Sequence, residues 1–225
     1  MDWNNDGKND LLAGDTHGQV WLYLNTGSAT EPVLAAGVRV ASAEKPITGR
    51  PVPLRDGTGK TITPQPMMGY YSKIHWADMD GDGLKDLLVG QTRNSQGHIV
   101  VYKNVGTVDQ PELAKPKTLE LPKNNMSRPS PYLADLDGNG TMDMICGTDG
   151  KDIVLFRNTG TAAKPRWAKP NVLKLRGQGF QIGYRRRLAV TDWNEDGKPD
   201  LLMGDRYRNS QTGSEGGNLW LFLGK

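Results

Sequence analysis

Cysteine is all but missing: Cys146 is the only one in 225 residues, which excludes an intrachain disulfide and a cysteine-based zinc site. It stands in the apolar stretch "MDMICG" and reads as a small buried side chain. No apolar run approaches the roughly 20 residues that span a bilayer, so no membrane partner is expected. The opening "MDWNNDG" has no basic region, apolar run or cleavage site of a signal peptide. No segment has convincing helical periodicity, and GxSxG, HExxH and phosphate-cradling glycine motifs are absent. Aromatics reach only 7%, whereas Gly (28) and Pro (14) are plentiful, a balance that suits short strands joined by turns.

Against these absences stands a repeated acidic stretch. "DWNNDGKNDLLAG", "DMDGDGLKDLLVG", "DLDGNGTMDMICG" and "DWNEDGKPDLLMG" begin at Asp2, Asp78, Asp135 and Asp192, so the spacings are 76, 57 and 57 residues. Each runs into a second apolar strand, "QVWLYLNTG", "HIVVYKNVG", "DIVLFRNTG" or "NLWLFLGK", and three copies continue with a proline-led segment. Before three of the loops lies another strand: "SKIHWAD", "SPYLAD" and "RLAVTD". The unit is four strands long. In the second strand both faces are apolar, so each sheet must be covered on both sides. Small sheets stacked around an axis meet that demand. The expected fold is all-β, a β-propeller of four four-stranded blades occupying residues 1–225 as one segment. The first and last blades are expected to be incomplete, because one strand is missing from each. That predicts a piece of a larger ring, or a protomer completed by another copy. The extra residues at about 41–70 read as a hairpin around Asp56-Gly57 that could supply a missing strand.

The loop pattern D-x-[DN]-x-[DN]-G-x-x-D, at 2–10, 78–86, 135–143 and 192–200, offers oxygens at positions 1, 3, 5 and 9 and a backbone carbonyl at position 7. The candidate metal ligands are Asp2, Asn4, Asp6, Lys8 (carbonyl) and Asp10; Asp78, Asp80, Asp82, Leu84 (carbonyl) and Asp86; Asp135, Asp137, Asn139, Thr141 (carbonyl) and Asp143; and Asp192, Asn194, Asp196, Lys198 (carbonyl) and Asp200. An all-oxygen set of this size suits Ca²⁺ better than Zn²⁺ or Mg²⁺. An EF-hand is excluded, since its position 12 would be Ala13, Val89, Cys146 or Met203 instead of Glu. These residues resemble the FG-GAP/VCBS repeats of calcium-binding β-propellers such as integrin α-chains. The resemblance implies a seven- or eight-bladed ring, structural calcium in the loops, and an extracellular, periplasmic or cell-surface setting. It leaves activity open, because the family includes adhesion proteins, lectins and polysaccharide lyases.

Thirteen of the 25 acidic residues are candidate ligands, and four divalent ions would raise the formal charge from +3 to +11. An acidic glycan or polysaccharide, gripped by Arg93, Arg185, Arg186, Arg187, Arg206 and Arg208, is one expected partner. A protein partner is another; nucleic acid is not expected, for want of a binding motif. His75, near Tyr70, Tyr71 and Lys73, is the one candidate for β-elimination chemistry in a polysaccharide lyase. The favoured reading is a non-catalytic, calcium-stabilised recognition module for carbohydrate or protein. The alternatives are part of a lyase or hydrolase, and a structural or engineered half-propeller that self-assembles. Trp3 and Trp193 in the loops read mainly as core, with sugar stacking as their second reading.

Overall fold

A computed structural model describes residues 1–42, 45–46, 54–55, 61–62, 69–93, 96–150, 152–173, 183–208 and 212–224. The described residues contain strands and turns and no helix. Two units are distinguished, Met1–Asp78 with Asp82–Leu119, and Met79–Gly81 with Glu120–Lys225.

In the first unit, β1 (Leu11–Gly14), β2 (Val20–Tyr23) and β3 (Val38–Arg39) form a three-stranded antiparallel sheet. Two short ladders follow, β4 (Ala41–Ser42) with β5 (Lys45–Pro46) and β6 (Leu54–Arg55) with β7 (Thr61–Ile62). The second ladder brackets the expected Asp56-Gly57 turn, which itself lies outside the described residues. Neither ladder joins a repeat sheet among the described residues. A four-stranded sheet then comprises β8 (Tyr70–Ala77), β9 (Asp86–Arg93), β10 (Gln96–Tyr102) and β11 (Lys117–Thr118).

The second unit repeats the plan. One sheet has four strands, β12 (Ser130–Ala134), β13 (Asp143–Gly147), β14 (Ile153–Phe156) and β15 (Asn171–Val172). The last has three, β16 (Tyr184–Thr191), β17 (Asp200–Arg208) and β18 (Glu215–Phe222). The repeats thus give blade-like sheets of three, four, four and three strands, with the expected gaps in the first and last.

The apolar runs explain the packing. Every residue of β13 and β14 is buried, and so are the first six of β9, as strands covered on both faces should be. Cys146 is fully buried in β13, and that burial pushes its thiol well above the ordinary range. In the first unit Val20 and Leu22 pack on Leu87, Val89, Val100 and Tyr102. In the second, Ile145 and Ile153 pack on Met203 together with Leu188, Val190, Leu201, Trp220 and Phe222. Within each unit, one face of the first sheet therefore seats on the opposite face of the second.

Backbone hydrogen bonds lock these pairs. Ser72 N–H donates to Asp15 O (2.9 Å) and Arg186 N–H to Thr148 O (3.0 Å), at equivalent places in the two units. The contact is close enough to require glycine: a Cβ on Gly14 would lie 2.2 Å from Ser72 O, and one on Gly147 2.6 Å from Arg186 O. The residue before each donor, Tyr71 (φ 62°) and Arg185 (φ 60°), adopts the left-handed conformation inside a register shift of β8 and β16. Such bulges re-aim the strand toward its neighbour.

Candidate metal centre

Each acidic loop is built around its first aspartate, whose carboxylate accepts backbone N–H groups from the turn that follows. Asp2 accepts from Asp6 and Gly7 (3.2 and 2.9 Å), and Asp78 accepts from Gly83 (2.9 Å). Asp135 accepts from Gly138, Asn139 and Gly140 (2.8, 3.1 and 2.8 Å), and Asp192 from Asp196 and Gly197 (3.0 and 2.8 Å). Burial opposes the charge on Asp135. The amides of Gly140, Asn139, Gly138 and Asp137 outweigh it and hold the carboxyl below the usual range. The N–H at position 7 (Lys8, Leu84, Thr141, Lys198) donates to the side chain at position 5 (Asp6, Asp82, Asn139, Asp196) at 2.8–3.0 Å.

This winding needs two left-handed residues per loop. Position 6 is always glycine, with φ between 80° and 87° at Gly7, Gly83, Gly140 and Gly197. Position 4 is Gly81 and Gly138 in the middle loops but Asn5 (φ 56°) and Glu195 (φ 58°) in the outer two. The pattern written from sequence caught the first requirement and missed the second.

The aspartate at position 9 anchors the loop. Asp10, Asp86, Asp143 and Asp200 are all buried, and each accepts the backbone N–H at the exit of the second repeat strand: Asn25 (2.7 Å), Asn104 (2.8 Å), Asn158 (2.8 Å) and Gly224 (2.7 Å). For Asp200 the Gly224 amide is the chief reason the carboxyl sits below its ordinary value. Asn25, Asn104 and Asn158 pass the constraint on. Each side-chain oxygen accepts N–H groups two and eight residues later, at 3.0 Å for Gly27 and Val33 and close to that in the other copies. These asparagines were not selected from sequence, although "NTG", "NVG" and "NTG" recur in register.

The four loops differ in how their oxygens are engaged. In the second, Asp78, Asp80 and Asp86 each bring a carboxylate oxygen within 4.8 Å of the others and could hold a metal ion. Lys103 is drawn to the remaining carboxylate, Asp82, at 2.8 Å; this hydrogen bond, before the Leu84 amide, holds Asp82 below its ordinary value. In the third loop the Arg157 guanidinium pairs with buried Asp143 and lies 3.3 Å from Asp137, while Asn139 accepts from both Thr141 groups. In the outer loops the position-3 amide turns toward position 5: Asn4 Nδ2 to Asp6 at 3.4 Å, Asn194 Nδ2 to Asp196 at 3.1 Å. Asn4 Oδ1 is left buried without a hydrogen-bond partner among the described residues, an oxygen suited to a cation. The donors are oxygens throughout, the chemistry of a hard ion.

Other candidates take their places nearby. His75 is half-buried on β8, opposite Leu88. Trp3 stacks on Trp76 at 4.4 Å and belongs to the core, whereas its counterpart Trp193 is 60% exposed.

A repeated acidic turn that clips the first strand of a small antiparallel sheet to the exit of the second defines a β-repeat protein with acidic loops. The chain matches the FG-GAP-like repeat over residues 78–146 and 135–203, more than half its length, and it belongs to that family. No curated protein matches it. Among solved structures it is similar to the Photorhabdus luminescens Tc holotoxin pore, at 20% identity and a TM-score of 0.42. That likeness covers 93% of this chain and 8% of the other, so this chain spans a small fraction of that one's length. Among the described residues no helix is long and apolar enough to cross a membrane.

Proposed function

We propose that the protein is a calcium-stabilised recognition module that works outside the cell and grips an acidic glycan. Calcium would sit in the four acidic loops, on the residues at positions 1, 3, 5, 7 and 9. The second loop is best prepared for it, and the third must first displace Arg157. Extracellular calcium modules bind with Kd of about 10⁻⁴ to 10⁻³ M, which fits calcium levels outside cells.

The observation that carries the glycan reading is an arginine cluster in the second unit. Arg128 lies 2.6 Å from Asp149, Arg185 lies 3.9 Å from the same carboxylate, and Arg187 is within electrostatic reach of all three. Part of Arg187 is solvent-exposed, yet its guanidinium falls below its ordinary value: desolvation is the largest cause, and the neighbouring Arg185 and Arg128 add to it against the pull of Asp149. Cations outnumber the anion there, and a sulfate or carboxylate would relieve their repulsion. Arg128 (φ 48°) and Arg185 (φ 60°) also share a left-handed backbone that costs about 1–3 kcal/mol, a strain typical of ligand-holding positions. Tyr184 supports Arg185 and Arg206 at 5.8 and 5.9 Å from its ring.

Calorimetry with heparin oligosaccharides, in calcium at low and high salt, tests the reading. Binding that weakens with salt and falls at least about tenfold in Arg185→Ser/Arg187→Ser is expected. Equal affinity in the variant would refute the assignment of the cluster, and no binding by the parent protein would refute the glycan reading. A melting temperature indifferent to calcium would refute the metal.

A further inference from the structure

Asn139-Gly140 is the one Asn-Gly pair in the 225 residues, and it stands at positions 5 and 6 of the third acidic loop. The other three loops carry aspartate at position 5: Asp6, Asp82 and Asp196. Both residues of the pair are exposed, and apart from chain neighbours no heavy atom lies within 4 Å of where a Gly140 Cβ would stand. The Asn139 side-chain oxygen accepts the Thr141 N–H at 2.8 Å and the Thr141 hydroxyl at 2.6 Å. The first of these bonds closes a turn whose ring contains both Asn139 Cγ and the Gly140 nitrogen. The Gly140 N–H itself donates to the Asp135 carboxylate at 2.8 Å.

We propose that this pair is a self-modifying site, at which the folded loop turns Asn139 into an aspartate without an enzyme. The Gly140 nitrogen bonds to Asn139 Cγ and gives its proton to solvent. The Cγ–Nδ2 bond breaks, and the nitrogen takes a proton from solvent and leaves as ammonia. Water then opens the five-membered imide. Added at Cγ it leaves an ordinary aspartate; added at the main-chain carbonyl of residue 139 it leaves an isoaspartate, whose chain runs through Cγ. The sum is an amide and water giving an acid and ammonia, with no oxidation or reduction. Three features of the loop favour the first step. Glycine sets no side chain in the way of its own nitrogen. The two Thr141 donors sit on the oxygen that turns negative as the nitrogen adds, where fixed hydrogen bonds lower a barrier. The Asp135 carboxylate draws on the Gly140 N–H and leaves its nitrogen richer in electrons. No other loop has a hydroxyl at position 7, where Lys8, Leu84 and Lys198 stand. The product gains at position 5 the carboxylate that the other copies encode, and in those copies it accepts the same position-7 N–H at 2.9–3.0 Å. The inference rests on the bonds of this loop and depends on neither the glycan nor the calcium reading.

The test incubates the full chain in EGTA at mildly alkaline pH, so that no ion in the loop enters the result. Peptide mapping by mass spectrometry follows residue 139 and separates amide, aspartate and isoaspartate. A synthetic peptide of residues 135–143 supplies the rate without the fold. Asn139 should convert about fivefold faster in the folded chain than in the peptide, while buried Asn25, Asn104 and Asn158, which precede threonine or valine, stay intact. Thr141→Val should slow the conversion about fivefold, the worth of one neutral hydrogen bond, and Thr141→Ser should keep the parental rate. Circular dichroism checks that both variants fold, and the comparison of parent with peptide stands by itself if either does not. A folded chain that converts no faster than the peptide would overturn the inference. So would a Thr141→Val rate equal to the parental one, or isoaspartate as the sole product.

Discussion

The second and third acidic loops carry the same three carboxylates at positions 1, 3 and 9, yet only the second brings them together. Asp78, Asp80 and Asp86 converge, whereas Asp137 and Asp143 both engage one nitrogen, Nη1, of the Arg157 guanidinium. The cause is one residue at the exit of the second repeat strand. It is Lys103 in the second copy, Arg157 in the third, and a leucine, Leu24 or Leu223, in the outer two. Lysine is a point charge and is satisfied by Asp82 at the rim of the loop. Arg157 instead reaches past the rim to buried Asp143 and, through the same nitrogen, to Asp137, so it engages two of the candidate ligands itself. Loops that match in a sequence pattern can therefore differ in what neutralises them.

The largest expected effect comes from the shared anchor. Asp86→Ala and Asp143→Ala each remove a buried acceptor from a backbone N–H, and both should cost about 3 kcal/mol in urea unfolding. The third-loop variant should suffer more in the absence of calcium, because Arg157 then loses its partner. Equal losses would break the contrast. Next, excess EGTA should lower the melting temperature by about 10 °C, since each occupied loop adds roughly 1–2 kcal/mol. Asp80→Ala should remove more of that response than Asp137→Ala. Third, Arg157→Leu installs the outer-copy residue and should tighten calcium binding at the third loop about tenfold, read by calorimetry. An unchanged isotherm would mean the guanidinium does not compete.

A smaller effect should appear in acid. Asp82 and Asp135 both titrate below the usual range, Asp82 chiefly through Lys103 and Asp135 through backbone amides that overcome burial. A depressed carboxyl stabilises the fold above its unfolded pKa, near 4, and that contribution fades as pH falls through the folded value. In EGTA, Lys103→Leu should flatten this acid loss slightly, while the third loop keeps its share because its donors are main chain. Smallest of all, Glu195→Gly gives the fourth loop the position-4 residue of the middle loops. It should stabilise by about 0.5 kcal/mol, the left-handed cost less the entropy of glycine.

Much of this architecture can be read along the chain. The acidic spacing located all four loops, and the two-faced apolar strands required sheets covered on both sides. The missing strands at either end appear as sheets of three. What could not be read depends on which residues the fold brings alongside the loops. Arg157 lies 14 residues after Asp143 in sequence, and only the return of β14 sets it across the loop. The asparagine relay at Asn25, Asn104 and Asn158 recurs visibly, but its purpose needs the partner N–H groups in place. Tyr71 and Arg185 look like ordinary strand residues, and nothing in their side chains announces a positive φ.

Gly14 and Gly147 show how little latitude the seam between neighbouring sheets allows. With a carbonyl oxygen sitting where a methyl group would go, even alanine must pry two sheets apart or break the hydrogen bond that sutures them. Side chains across the interface can drift as long as they stay oily and of similar bulk. The pitch from one sheet to the next is set by main chain against main chain.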